Sequence, residues 1–583
     1  MNGTMSARTR FLLWLLAAAA LFGGQLAWLF LLRGRRLLQS DVTLIVGPLA
    51  LGAPLLAIAA LLATTPANAI KLRRRTSEIL LVAGGAVLQL AAVVLLRPAL
   101  SEDVLRYRAD GRMWLAGASP YATAPRDFDG ADAVDALVPF PDVRTIYPGT
   151  SHAVFALAAA AERALGAAPA SVPAFPRGER IGAAPASIGA LPRDEHSLAA
   201  NAASPPHASP PAASISVASP PHASLAAISH GERSAWRWYL GNADAPYRAT
   251  VFRSTYAACA VGCALVLLGM LRRSGQSPWW AALLAWNPLV TLETGGMGHQ
   301  DALGALLVLL ALSAAQRAHP ARARAMLWLA LAAGVKPLAL LIAPFLIRGG
   351  GQRAPLPGDG RFRSRLLPVG VFAAALVALY LAPLLIHGGA AGWRASAGAY
   401  SQTWEANGSF YEGIKFVFGT GDEGRAMDRA KQMARLLAAA ALLAAALACW
   451  RFRASPATAG YWLCLVTLLV SPVAYPWYLV WVLAMVPLLD GRPGWAALVW
   501  SATATISYRV WRSPDWHLDA PWALAEYVPV YLAAATELAL SARRALREAS
   551  APREPGDTGD AGASAAAVKA SGAAAGGGDG SGY

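Results

Sequence analysis

Residues 436–449 read LLAAAALLAAALAC, a continuous Leu/Ala block without a single charged side chain. A strand of an outer-membrane barrel alternates polarity with period two over about 10 residues; this block does not alternate, so it reads as a buried or lipid-facing helix. The apolar run 433–450 in which it sits, with Arg435 near its start, is close to the roughly 20 residues that a helix needs to cross a bilayer. Comparable runs recur near 11–33, 42–65, 77–98, 249–271, 278–294, 301–316, 324–347, 366–386, 433–450, 458–474, 477–490, 494–510 and 521–540. Over the whole chain of 583 residues, 56% are hydrophobic and only 14% are charged. Soluble domains carry about 25% charged residues, which excludes an ordinary soluble enzyme. The expectation is an all-α, polytopic integral membrane protein with about 12–13 transmembrane helices and extracytoplasmic loops that carry the active site.

The formal net charge is +16. Its arginines cluster at the ends of apolar runs, as the positive-inside rule requires, so no nucleic-acid partner is expected. Six basic clusters, at 71–75, 272–273, 317–324, 348–365, 451–453 and 543–547, all fall inside if the segment Ser101–Tyr147 lies outside. This orientation makes 324–347 a broken hairpin turning near Gly334, Lys336 and Pro337, and keeps Pro148–Leu165 on the outer face as an interfacial helix. A seventh cluster, Arg33–Arg36, falls outside against the rule. The domain reading is an N-terminal transmembrane hairpin at 1–76; a span, first outer loop and interfacial helix at 77–165; and an Ala/Pro/Ser-rich insertion at 166–240, expected to be disordered and dispensable. A transmembrane core at 241–547 and a disordered tail at 548–583 complete it. Such compositions bury too little apolar surface to offset ordering entropy. Cys259, Cys263, Cys449 and Cys464 lie in apolar stretches without ligand spacing, so no metal site is expected from them.

Polar groups at membrane borders are costly and therefore point to function. Glu102 and Asp103 directly follow a span, with Arg106, Tyr107, Asp110 and Arg112 behind them. An acid pair flanked by arginine suits a general base beside a phosphate site. Asp103 is the preferred base because Arg106, Tyr107 and Asp110 share its helical face at i+3, i+4 and i+7. A second cluster, Glu293-Thr-Gly-Gly-Met-Gly-His299-Gln-Asp301, offers a donor and an acceptor on a glycine loop that a ligand can approach closely. Two more outer clusters surround Trp404, Glu405 and Asn407, and Tyr475, Trp477 and Tyr478.

Taken in order, EDVLRYRADGRMWLAGASPYATAP (102–125), TIYP (145–148), AWNPLVTLETGGMGHQDAL (285–303), GVKPLALLIAPFLI (334–347) and SPVAYPWYLVWVL (471–483) resemble the GT-C superfamily of polytopic glycosyltransferases. The resemblance is to the bacterial branch that includes polyprenol-phosphate-mannose-dependent mannosyltransferases of actinobacterial envelopes, and spans roughly residues 77–490. It departs at Tyr147-Pro-Gly, where the family often has YPP, and at Gln300, where the family often has Asn.

The resemblance implies a hexosyltransferase, by the branch a mannosyltransferase, in the cell inner (plasma) membrane. Its partners would be a polyprenyl-phosphate-linked sugar, a glycan or glycolipid acceptor and membrane lipid. The first-loop acid of the family maps onto Asp103 or Glu102, the second outer motif onto Gly298, His299 and Asp301, and the lysine before proline onto Lys336. Arg106, Arg112 and Lys336 are candidates to hold the phosphate; Tyr107 and Tyr147 join them as substrate-binding candidates. Trp404, Tyr475, Trp477 and Tyr478 are candidates to stack on sugar or line a lipid groove. No cofactor is expected, although convergence of Glu102, Asp103 and Asp301 would leave room for a divalent cation. The rivals are a transporter or flippase of lipid-linked sugars, and a ligase that moves a whole glycan. Transporters usually carry internal repeats, and none is evident between the halves of this chain.

Overall fold

The computed structural model describes residues 6–35, 37, 42–64, 73–132, 134–138, 140–166, 247–316, 321–348, 363–386, 388–419, 423–489, 493–512 and 517–550. The Ala/Pro/Ser-rich insertion beyond residue 166 and the tail beyond residue 550 lie outside the described residues. The chain divides into one compact unit, Met1–Tyr531, and a second, Leu532–Tyr583, whose described part is helical.

The fold is all-α, and the described residues contain no β-strand, only isolated bridges from Ala406 and Asn407 to Val473. In chain order the main helices are α1 (Ala7–Leu32), α2 (Gly47–Thr64), α3 (Arg74–Leu95), α4 (Asp103–Leu115), α5 (Gly149–Ala164) and α6 (Thr250–Arg273). They continue as α7 (Pro288–Gly296), α8 (Asp301–Ala315), α9 (Ala321–Ala333), α10 (Arg363–Leu376), α11 (Ala390–Thr403) and α12 (Ser409–Phe418). The last are α13 (Glu423–Arg451), α14 (Pro456–Val470), α15 (Trp495–Thr503) and α16 (Ala520–Ser550). Packing joins α1 to α2, α3 to α6, α4 to α5, α6 to α8 and α8 to α9.

Among the described residues, seven helices are long and apolar enough to cross a membrane, or eight if α7 and α8, bent by 116°, form one span. This corrects the expected twelve or thirteen. The difference lies in proline and glycine. Pro288, Pro337, Pro456 and Pro476 each stand at the start of a helix, where proline's missing N–H costs nothing. Apolar sequence that reads as a single span therefore folds as short helices re-aimed at each break, as in 278–294, 324–347 and 477–490. The break of 324–347 falls at Gly334–Lys336, between α9 and a 3-10 turn at Pro337–Ile342. Irregular backbone at depth is tolerated where protein surrounds it, and Gly334, Val335 and Ala339 are all buried.

Basic helix ends meet neighbouring helix ends in two places. Arg272 Nη2 lies 2.5 Å from Glu78 Oε2 near the start of α3, and Arg348 donates to the Trp450 carbonyl at 2.7 Å beside Arg451. The 22 residues of α3, at 1.5 Å each, separate that end by about 33 Å from the segment that leads into Asp103. Helix α5 is 16 residues long, and Glu162 near its end is buried and accepts from Arg108 Nε at 2.7 Å.

Candidate active site

Asp103 is the first residue of α4, where the helix dipole favours a carboxylate. Its backbone N–H donates to Ser101 Oγ at 3.2 Å, and Tyr107, one turn on, donates its hydroxyl to Oδ2 at 3.3 Å. The side chain keeps 29% of its surface open. Burial pushes its carboxyl up from 3.8 to about 6, against the pull of Lys336 and with Asp301 adding to the rise. Glu102 differs: it is buried, Oε2 has no partner, and burial with the neighbouring Asp103 charge pushes it up to about 8. Of the two neighbours, Glu102 therefore holds its proton more firmly than Asp103.

The second cluster sits at the bend between α7 and α8. The last turn of α7, Leu292–Gly296, is π-helical, a form common at functional sites. Gly298, at φ +83°, closes it. The His299 N–H returns to the Glu293 carbonyl at 2.9 Å and the Gly298 N–H to the Thr294 carbonyl at 2.9 Å, a glycine-closed terminus of Schellman type widened by the π turn. This closure sets the His299 ring between two acids. Nδ1 lies 2.9 Å from Glu293 Oε2, at ion-pair distance but off the angle of a hydrogen bond, and Nε2 lies 3.9 Å from Asp103 Oδ2. Two residues on, Asp301 opens α8 and is fully buried.

The break at 334–336 delivers the cation. Lys336 Nζ donates to Asp301 Oδ1 at 2.6 Å and lies 4.1 Å from the centre of the Tyr478 ring, and its side chain is 17% exposed. Trp481 Nε1 donates to the same Oδ1 at 2.7 Å. That contact depends on Gly304: a Cβ there would fall 2.1 Å from the indole ring. Ser151 holds the two breaks together, donating to Gln300 Oε1 at 2.7 Å and approaching the Val335 carbonyl at 3.3 Å.

Aromatic rings form the remaining wall. Trp477 is sandwiched between His299 (centroids 3.9 Å apart, planes 14°) and Tyr475 (4.5 Å, 10°). Tyr478 shares a hydroxyl contact of 2.9 Å with Tyr400, whose ring meets Trp404 at 5.3 Å. Tyr147 packs edge-on against Tyr107 at 5.4 Å.

The structure therefore brings together Asp103, Tyr107, Tyr147, His299, Asp301, Lys336, Tyr475, Trp477 and Tyr478, with Trp404 one ring removed. It places the two arginines otherwise. Arg106 binds Asp110 Oδ1 and the Val143 carbonyl, 2.8 and 2.7 Å away. Arg112 turns from Asp103 to Asp132, Asp135 and the Gly130 carbonyl. It flanks Arg108, a fully buried guanidinium bonded to Asp132, Asp135 and Glu162. That ionic knot folds the first loop onto α5. Sequence patterning includes Glu293 in the second cluster without giving it a role, and misses Tyr508, Trp481, Tyr400 and Ser151. Trp481 is signalled by its i+4 spacing from Trp477, whereas Tyr508 reaches Glu293 from more than 200 residues away and leaves no local trace.

With this geometry in place, the comparison with known families is informative. Residues 243–472 match glycosyltransferase family 87. The family is of the GT-C type, so the chain is a membrane glycosyltransferase. The matched region holds His299, Asp301, Lys336 and Trp404, whereas Asp103 and Tyr475–Tyr478 of the transferase lie outside it. No curated protein and no solved structure matches the chain.

Proposed function

We propose that the transferase moves a hexose, mannose by the sequence resemblance, from a polyprenyl phosphate to a hydroxyl of an envelope glycan or glycolipid at the outer face of the plasma membrane. The observation that carries this reading is the pairing of an accessible base with a cation. Asp103 is the carboxylate of the cluster with the most open surface, and Lys336 stands beside Asp301 and Tyr478 with its side chain partly open. In one in-line displacement, the acceptor O–H gives its proton to Asp103 as its oxygen bonds to the anomeric carbon. The bond from that carbon to the phosphate oxygen breaks, its electron pair stays on the phosphate, and Lys336 neutralises the new charge. The anomeric centre inverts. Tyr475, Tyr478 and Trp404 offer faces for the sugar and the first isoprene units. Lys336 is the cation of this scheme, and we propose that no divalent ion takes part.

The proposed orientation rests on the positive-inside rule, which puts the basic ends in the cytoplasm, and on the length of α3, which separates its basic start from the segment leading into Asp103. The test is release of polyprenyl phosphate from radiolabelled polyprenyl-phosphate mannose by membranes that contain the chain, with and without EDTA. Release that survives EDTA is expected. Absence of release overturns the donor, and loss of release in EDTA overturns the metal-free scheme.

A further inference from the structure

Arg253 takes no part in that displacement, yet it is a fully buried guanidinium in the first turn of α6, inside an apolar span. A charge in that setting is costly and points to function. Its own helix does not favour it, because the N-terminal turn of a helix repels a cation. Among the described residues no carboxylate pairs with it, and all three nitrogens donate to main-chain carbonyls. Nε binds the Gly295 carbonyl at 2.9 Å, Nη2 binds that of Ala92 at 2.6 Å and Nη1 reaches that of Arg248 at 3.3 Å. Ala92 lies in the last turn of α3 and Gly295 in the last turn of α7, so the guanidinium stands between the negative ends of two helix dipoles. These two ends carry the two halves of the site. From Ala92 the chain runs through Ser101 into Asp103, and from Gly295 it turns at Gly298 into His299 and Asp301. The Arg253 stem supports that turn as well: a Cβ on Gly298 would fall 3.0 Å from Arg253 Cγ and 3.4 Å from Cγ2 of Val104, the residue after Asp103. Gln89 of α3 holds the same glycine from the other side, accepting from the Gly295 N–H at 2.9 Å.

We propose that Arg253 is a positioning residue: by joining the last turns of α3 and α7, it sets the gap between Asp103, which takes the acceptor proton, and the Asp301–Lys336 pair, which meets the phosphate charge. The inference rests on the transferase reading above. In-line displacement places the attacking and leaving oxygens on opposite sides of the anomeric carbon, so base and cation must stand at a fixed separation. A misplacement of about 1 Å costs on the order of 10²-fold in rate even when the altered residue lies away from the chemistry. Arginine suits the task because its planar fork fixes two carbonyls in set directions at once, whereas a lysine ammonium is a single point charge on a flexible stem.

The experiment uses the full chain in nanodiscs, radiolabelled polyprenyl-phosphate mannose as donor and octyl α-mannoside as the acceptor probe. Arg253→Lys keeps the charge but cannot fork between the two carbonyls. It is expected to lower kcat by about 10- to 10²-fold with the donor KM changed less than about twofold, the signature of an interaction outside ground-state binding. Arg253→Gln, which is neutral and keeps one amide donor group, should show the same split and carries the test if the lysine variant does not reach the membrane. In an Asp103→Asn background either change should add less than about twofold, because a base that is already absent cannot be misplaced. An unchanged kcat, a loss carried by KM, or equal losses with and without Asp103 would make Arg253 a packing residue and overturn the proposal, as would failure of both variants to fold. If the unaltered, folded chain released no polyprenyl phosphate, or if Asp103→Asn alone left kcat unchanged, the transferase scheme would fall first and the proposal with it; an active chain that needs Asp103 but not Arg253 would overturn the proposal alone.

Discussion

Replacing Asp103 with Asn separates a base from a structural acid, because the two roles predict opposite changes in stability. Burial moves the carboxyl from 3.8 to about 6, so the folded protein binds this proton more tightly than the unfolded chain. Such a group weakens folding wherever it is ionised in the folded state: the penalty is full above about pH 6 and fades as pH falls toward 3.8. At 1.36 kcal/mol for each tenfold change in acidity, the ceiling is about 3 kcal/mol. The open 29% of the side chain lets solvent screen part of it, which leaves about 1–2 kcal/mol. Asp103→Asn keeps the shape, drops the charge and keeps an acceptor for the Tyr107 hydroxyl. At pH 7.5 the variant should therefore melt a few degrees higher than the unaltered chain, while kcat falls by about 10²-fold or more. In the unaltered chain, kcat/KM should rise with pH and reach half its plateau near pH 6, where the base loses its proton. The assays are thermal unfolding of the nanodisc-embedded protein and polyprenyl phosphate release at pH 5–8. A variant that is inactive and less stable at pH 7.5 would mean that Asp103 is held by its partners as a structural anion. A flat pH profile across pH 5–7 would remove it as the base.

Other expectations follow from the same geometry. Lys336→Met strands the buried Asp301 carboxylate and should cost about 3–5 kcal/mol; adding Asp301→Asn should restore the melting temperature but not the donor KM, which a purely structural lysine would also recover. Gly304→Ala drives a methyl into the Trp481 indole and should cost about 1–3 kcal/mol, visible as a lower melting temperature and reduced turnover; an unchanged protein would mean that the indole does not lie over this glycine. Arg108→Met leaves Asp132, Asp135 and Glu162 without their shared cation, and its level in membranes should drop sharply, with a loss of about 3–5 kcal/mol. Deleting residues 170–232 should leave transfer within a few-fold, since closure entropy changes slowly with loop length; loss of activity at normal membrane levels would assign the segment a binding role.

Much of this was legible in the chain because it is local. A continuous apolar run fixes a helix and its medium wherever it occurs, so the all-α membrane architecture needs no contact information. An acid that starts a helix, a glycine-rich turn that carries His299 and Asp301, and a lysine before proline are each visible within a few residues. Their spacing along one helix also pairs Tyr107 correctly with Asp103. The number of spans was not legible in the same way. Hydropathy is indifferent to direction, and only packing around Pro288, Gly334–Pro337 and Pro476 shows that apolar sequence is bent into short helices at the site instead of passing straight across.

The sequence alone determined that this chain is a helical membrane protein whose polar residues cluster in a few segments between apolar runs, because burial of apolar surface and the cost of charge in lipid act on every residue where it stands. The tertiary structure alone decided which polar residues meet. An arginine takes the nearest carboxylate in space rather than in sequence, so Arg112 closes the loop on Asp135 while Lys336 reaches Asp301. A buried acid is defined by partners that arrive from anywhere in the chain, so Glu293 takes its hydrogen bonds from Tyr508, a contact no stretch of sequence contains.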